Sequence, residues 1–401
     1  MKIEIHVLQN FAPSNLNRDD TGAPKDCELG GYRRARISSQ CQKRAVRQLF
    51  TLQGLVAEES LAARTKRLAH QVADVLEEKN SIPRAEGAEL VIQALKGCGL
   101  KTAEAKGDNV EDGWKTQYLL YVPRRSVDAL ATLVAANKDT LAALAGEAPS
   151  DDAKKVTKAA AKKADKAAFP KDLAKAFTAI LEDARGAADL ALFGRMIADQ
   201  PSWNVDASCQ VAHAISTNKV QMDFDFYTAV DDFKPDDNAG ADMMGTIQFN
   251  SSCFYRYAVL DVDALAKNLG GKDAAPLAKK TVEAFIQAFF AAIPTGKQNS
   301  MAAHNPPSYA LAVVSDKGQP VSLANAFLKP ATPKGEKDLV DVSVEKLEGY
   351  LSNMRELVNE NALLTSWADR DLAKSESGVV RQNKLKGFFE AVTARAIGGA
   401  A

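Results

Sequence analysis

Five cysteines (Cys27, Cys41, Cys98, Cys209 and Cys253) form no CxxC pair. The odd count without tight spacing excludes a disulfide framework and a cysteine zinc site, and makes a reducing cytoplasm the expected compartment. No stretch approaches 18 apolar residues, and the opening MKIEIHVLQN lacks the charged-then-apolar order of an export signal, so neither a membrane span nor a leader is expected. Excess charge is also missing: 51 Lys and Arg balance 51 Asp and Glu. Bulk attraction to a polyanion is excluded, and any nucleic-acid site must be local. The four histidines, His6, His70, His213 and His304, fall in no HExxH or similar spacing, so structural roles are expected and no metal. Gly296 and Lys297 do not make a phosphate loop, because Ala291 stands where its first Gly belongs and Gln298 where Ser or Thr must follow the Lys. No cofactor is indicated.

What is present is an ordinary globular balance, 46% hydrophobic and 25% charged over 401 residues, enough for two to three structural units. Ile3, Ile5 and Val7 alternate with Lys2, Glu4 and His6, the period of a half-buried strand. The stretch FAPSNLNRDDTGAPKDCELGGYRRAR follows as a long irregular loop. Ser38 and Ser39 are suited to cap a helix over Gln40 to about Phe50, with Ala45, Val46, Leu49 and Phe50 as its buried stripe. From about 58 to 190 the spacing of Leu61, Leu68, Val72, Val75 and Leu76 predicts mostly helix. Residues 275–292 predict an amphipathic helix and 309–316 a strand. The order suggests an α+β sheet domain interrupted by a helical one.

The sharpest local charge is LGGYRRARISSQCQKRAVR at 29–47, with Arg33, Arg34, Arg36, Lys43, Arg44 and Arg47 and no acid. Gln40, Lys43, Arg44 and Arg47 fall at i, i+3, i+4 and i+7, on one face opposite the apolar stripe. The capped helix start beside Arg33, Arg34 and Arg36 suits phosphates, a phosphodiester backbone best of all. A solvated basic face without a ligand is the alternative.

Two strand-rich arms around the polar turn KPDDNAGAD predict a long hairpin. Phe226 and Tyr227 are adjacent and point to opposite faces, so at most one packs inward, and either can stack on an unpaired base. Phe224 is expected to be buried. The run KKVTKAAAKKADKAA at 154–168 reads as a solvated Ala/Lys helix or a partly disordered insert. Asp19 and Asp20 are able to hold a divalent cation near RNA, or serve as turn residues.

The blocks HVLQNFAPSNLNRDD, GGYRRARISSQCQKRA, ALFGRMIAD, VAHAISTNKV, DFDFYTAVDD, FYRYAVLDVDALAKNLGG, GKQNSMAAHNPP and PVSLANAF resemble, in order, the CasC backbone-subunit family of type I-E CRISPR Cascade complexes. The resemblance implies an RRM-like ferredoxin palm (1–57, 190–219 and 251–401), a helical fingers insertion (58–189) and a β-hairpin thumb (220–250). It implies a subunit that stacks in several copies along a CRISPR RNA, each thumb displacing a nucleotide so that exposed segments pair with target DNA. Its partners would be CasA, CasB, CasD, CasE and a nuclease-helicase recruited by the complex. It implies no enzymatic activity of the chain itself. A guide-assembled ribonuclease using Asp19 or Asp20 is the alternative.

By position, the resemblance assigns Arg18, Gln40, Lys43 and Arg47, with Arg44 beside them, to the RNA backbone. Met196 matches a methionine packed on a base, Phe226 and Tyr227 a thumb aromatic pair, and Lys297 and Gln298 a palm loop near the guide. Lys154, Lys155 and Lys158 fall where fingers face target DNA. Asp231, Asp232, Asp236 and Asp237 are candidates for complementary contact between copies.

Overall fold

A computed structural model of the chain describes residues 1–103, 110–146, 169–229, 243–372 and 377–398. The chain divides into two units, one of residues 1–55, 209–265 and 278–401, the other of 56–208 and 266–277. The first segment of the second unit runs to residue 208, past the stretch from about 58 to 190 that the spacing predicts as mostly helix. The reason is that Ile197 and Trp203 sit in the same core as Leu181 and Phe177.

The first unit is a mixed α/β body built on β1 (Lys2–Ser14), β2 (Asp26–Leu29), β3 (Tyr32–Ile37), β4 (Cys209–Val211), β5 (Ala214–Ser216), β6 (Asp223–Ala229), β7 (Met243–Asp261), β8 (Tyr309–Ser315), β9 (Leu363–Ala368) and β10 (Val380–Arg381). Its main helices are α1 (Ser39–Leu52), α2 (Ala275–Ala291), α3 (Leu339–Asn353) and α4 (Leu385–Gly398). The sheet runs β10-β9-β8-β1-β7-β5-β3-β2, with β4 and β6 also on β7. All pairs are antiparallel except β9 with β10. β1 lies at the centre, Ile5 opposite Ala312 of β8 and Ala258 of β7.

Both faces of β1 are buried, Glu4 and His6 included, although its alternation reads as half-buried. The second face is covered by α3 and the segment around Leu323 and Phe327, which share a core with Tyr255, Tyr257 and Leu8. Period two here separates two buried environments rather than core from solvent. Tyr257 donates to Glu4 Oε2 (2.7 Å), which also accepts from the Val321 amide (2.7 Å). His6 Nδ1 lies 2.9 Å from the Tyr255 hydroxyl.

The stretch expected as an irregular loop instead holds the end of β1 and the β2–β3 hairpin. Gly30 and Gly31 turn that hairpin with φ of +62° and +77°, the left-handed pair a two-residue turn demands. A Cβ at Gly30 would also collide with the Leu328 carbonyl.

The second unit packs helices Leu68–Asn80, Arg84–Gly97, Ser126–Ala136 and Lys171–Glu182 around one apolar core. A two-stranded ribbon, Ala62–Thr65 with Leu120–Pro123, belongs to the same unit. Among the described residues no helix is long and apolar enough to cross a membrane.

Candidate nucleic-acid interface

α1 starts where the sequence places it. Ser38 is its N-cap, accepting from the Cys41 amide, and the Ser38 amide donates to Asn17 Oδ1 at 2.8 Å. That second bond fastens the 15–24 loop to the helix start. Ala45, Val46 and Phe50 are buried as expected, and so is Gln42. Gln42 donates to the Ala212 carbonyl (2.8 Å) and accepts from Arg256 (3.4 Å). Gln40 and Arg44 are exposed, while Lys43 and Arg47 are half-buried.

Arg256 fixes the far side of this arrangement. Wholly buried, it donates to Gln9 Oε1 (2.6 Å) and to the carbonyls of Phe289 (2.5 Å) and Phe290 (3.2 Å) at the end of α2. Burial lowers its pKa to about 10, which leaves it charged at neutral pH. A cation on the last carbonyls of a helix is the favourable sense of the helix dipole.

Three segments far apart in sequence meet around a cleft of about 430 Å³: the loop with Arg18, Asp19 and Asp20, the α1 face with Arg44 and Gln48, and the 294–296 turn. The last approaches by backbone, since a Cβ at Gly296 would overlap the Leu16 carbonyl. Arg18 and Arg44, expected as RNA contacts, are thus brought together. Lys297 begins the adjoining turn in the left-handed region (φ +52°). The Gln298 side chain is held inside that turn, its Nε2 donating to the carbonyls of Pro294 (3.0 Å) and Ala303 (3.3 Å).

Asp19 is occupied as a turn acceptor. Its Oδ1 takes hydrogen bonds from Thr21 N (2.9 Å), Thr21 Oγ1 (2.8 Å) and Ala23 N (3.0 Å), which hold its pKa below the usual carboxylate value. Among the described residues no three His, Cys, Asp or Glu side chains converge as a metal site.

The Arg33, Arg34 and Arg36 group does not gather at the helix start. Arg34 is fully buried and donates to the carbonyls of Ser216 (3.1 Å), Thr217 (2.8 Å), Phe327 (2.5 Å) and Leu328 (3.4 Å). Arg33 pairs with Asp26 across the hairpin. Arg36 bonds the Asp26 carbonyl (3.0 Å) and His213 (3.0 Å). The acid missing from 29–47 is supplied by β2.

Beside the cleft rises the β6–β7 hairpin. Asn15 links them, its Nδ2 donating to the carbonyls of Gly22 and Gln248, both at 3.0 Å. Phe226 is 64% exposed and Phe224 65%, with Met244 at 67%. The expectation that Phe224 is buried fails because every residue of β6 is exposed, with no layer over that face among the described residues. Phe224 and Phe226 share a face, and Met244, opposite Thr228, is on it too. Tyr227 takes the other face, where it crosses Gly245, its register partner. A Cβ on residue 245 would stand 2.5 Å from the phenol oxygen. Spacing alone did not single out Gly245, although a glycine inside the strand pattern MMGTIQF is the signal for such a close approach. The acidic candidates Asp231, Asp232, Asp236 and Asp237 lie outside the described residues.

In the helical unit Met196 is 86% exposed. The preceding Arg195 is buried and donates to the carbonyls of Trp203 (2.7 Å), Tyr121 (3.2 Å), Leu181 (3.0 Å) and Glu182 (2.7 Å). An apolar side chain is held out in water by a locked neighbour. Lys154, Lys155 and Lys158 lie outside the described residues.

A solved structure titled "CRISPR RNA-guided surveillance complex, pre-nicking" contains a chain similar to this one, with a TM-score of 0.82 and 29% identity, covering 99% of this chain and 100% of that one. A chain of a second, titled "CRISPR RNA-guided surveillance complex", matches with a TM-score of 0.72 and 25% identity, over 98% and 99% of the respective chains. No curated protein matches. The family described as CT1975-like protein matches residues 3–391, nearly the whole sequence, and the chain therefore belongs to the CT1975-like protein family.

Proposed function

We propose that the chain is a non-catalytic, CRISPR RNA-binding backbone subunit of a type I-E Cascade complex, working in the cytoplasm. The observation that carries this reading is the pairing of the Arg18–Arg44 cleft with an adjoining hairpin of exposed aromatic side chains. Cations along a cleft hold phosphates without regard to sequence, and stacked aromatics hold bases equally indifferently. Base pairing is left to supply the specificity. The end-to-end likeness to chains of RNA-guided surveillance complexes supports the same reading.

The topology supports a palm of ferredoxin type. The path β1-α1-β5-β7-α2-β8, with sheet order β8-β1-β7-β5, is a βαββαβ unit. In this reading the second unit serves as fingers and the β6–β7 hairpin as thumb. Copies of the chain stack along the guide beside CasA, CasB, CasD and CasE, and the assembled complex recruits the nuclease-helicase once target DNA is paired. The engagement of Asp19 in its own turn supports a holding role for the cleft loop.

The test is size-exclusion chromatography of the protein expressed with and without a repeat–spacer transcript and its partner subunits, followed by sequencing of retained RNA. A discrete high-mass peak carrying guide of one length is expected. A monomer without RNA, even with the partners present, would overturn the proposal. Metal-dependent cutting of complementary RNA by the complex, lost on Asp20→Ala, would replace it with the ribonuclease reading.

A further inference from the structure

The helical unit carries a basic ridge that the reading above does not use. Arg64, Lys66 and Arg67 lie within four residues where the 62–65 strand turns into the Leu68–Asn80 helix, and all three are exposed. Their backbone is pinned. The Thr116 amide donates to the Lys66 carbonyl (2.9 Å), and the Arg67 amide to Thr65 Oγ1 (2.7 Å). The Arg64 guanidinium rests 5.0 Å above the Tyr121 ring, its register partner in the ribbon.

Nearby acids are already taken. Glu111, which feels the charge of Arg67, is bonded by Arg84 at 2.8 Å. Asp74 is bonded by the same arginine at 2.6 Å, and Asp112 by Lys115. Among the described residues none of the three ridge cations has an ion-pair partner. The helix that starts at the ridge has no side-chain cap and no acid in its first turn, so its dipole adds to the positive field.

We infer that Arg64, Lys66 and Arg67 bind the phosphodiester backbone of a second strand, the DNA that pairs with the guide. Three exposed cations on a pinned backbone at the end of a ribbon suit a regularly spaced polyanion better than a single small anion. The inference rests on the proposed RNA-guided role, which already assigns Arg18 and Arg44 to the first strand.

The test uses the assembled, guide-loaded complex carrying R64A/K66A/R67A, with end-labelled complementary DNA titrated from 50 to 300 mM KCl. Guide content and complex mass should be unchanged. The slope of log K against log salt should become shallower by roughly 0.7–0.9 for each phosphate that is no longer neutralised. The charge-keeping R64K/R67K should restore the slope, which a purely structural role would not do. An unchanged slope overturns the inference, and so does a loss of guide with DNA binding intact. Should the triple variant fail to assemble, K66Q alone decides, again by a shallower or unchanged slope. A wild-type complex that retains no RNA refutes the underlying function instead.

Discussion

Tyr227 lies flat across Gly245, in space that any side chain at 245 would occupy. The glycine seats one aromatic against the strand while Phe226 stands free on the other face. Gly245→Val should unseat the ring and weaken guide retention by the worth of about one stacking contact, roughly 1–3 kcal/mol. Tyr227→Ala should cost a similar amount, and the double variant little more than either alone. Full additivity would show that Gly245 acts independently of the ring. Filter binding of guide RNA to the assembled complex gives all three numbers.

Arg18 and Arg44 share the cleft, whereas Gln298 is tied into its own turn. Each arginine replaced by Ala should reduce the salt slope of guide binding by about 0.7, the single-strand value for one phosphate. Gln298→Ala should leave that slope alone and lower thermal stability. If the arginine variants bind with the parental slope, the cleft does not hold phosphate.

Arg256 holds the Phe289 and Phe290 carbonyls, Gln9 and, through Gln42, α1. Arg256→Met strands these acceptors in the core, each at about 1–3 kcal/mol. The urea midpoint should fall by the equivalent of about 3 kcal/mol or more. A change below about 1 kcal/mol would mean that the core closes around the missing guanidinium.

Burial depresses the pKa of His6 to about 3. An unfolded histidine titrates near 6.5, so between about pH 6.5 and 3 the unfolded chain binds the extra proton and stability falls with falling pH. The slope from this residue alone approaches about 1.4 kcal/mol per pH unit. Above about pH 6.5 its contribution is constant. Glu4 opposes it. Burial raises the Glu4 pKa, so the folded state holds a proton the unfolded state has released, and stability from that group falls as pH rises above about 4.5. Urea midpoints from pH 4 to 7 should therefore steepen in Glu4→Gln and flatten in His6→Gln. The same pH dependence in His6→Gln as in the parent would contradict the neutral buried ring.

Local chemistry was legible wherever neighbours in sequence decide the outcome. Ser38 caps α1, Ala45, Val46 and Phe50 face inward, and 275–291 is helical, all as spacing and propensity predict. What spacing could not supply is the partner that arrives from afar. Arg34 reads as a phosphate ligand until the carbonyls of residues 216–217 and 327–328 surround it. Phe224 reads as core until its strand is found on an arm whose every residue is exposed. Glu4 and His6 read as solvent-facing until the chain beyond residue 320 closes over them. Arg18 and Arg44 were each legible as cations, but their meeting depends on the bond from Ser38 to Asn17.

β7 runs unbroken for 19 residues, from Gly245 under Tyr227 to Arg256 beneath α1 and on to Asp261. At about 3.4 Å per residue it spans some 60 Å. The arm and the strand that pairs with β1 are thus one continuous element, and Asn15 is bonded to it at Gln248. Such a strand acts as a ruler, because the distance along it from Gly245, beneath Tyr227, to Arg256, bonded to Gln42 of α1, is a count of peptide units. One residue inserted between Gly245 and Gln248 would turn Gly245 to the opposite face and take it from beneath Tyr227.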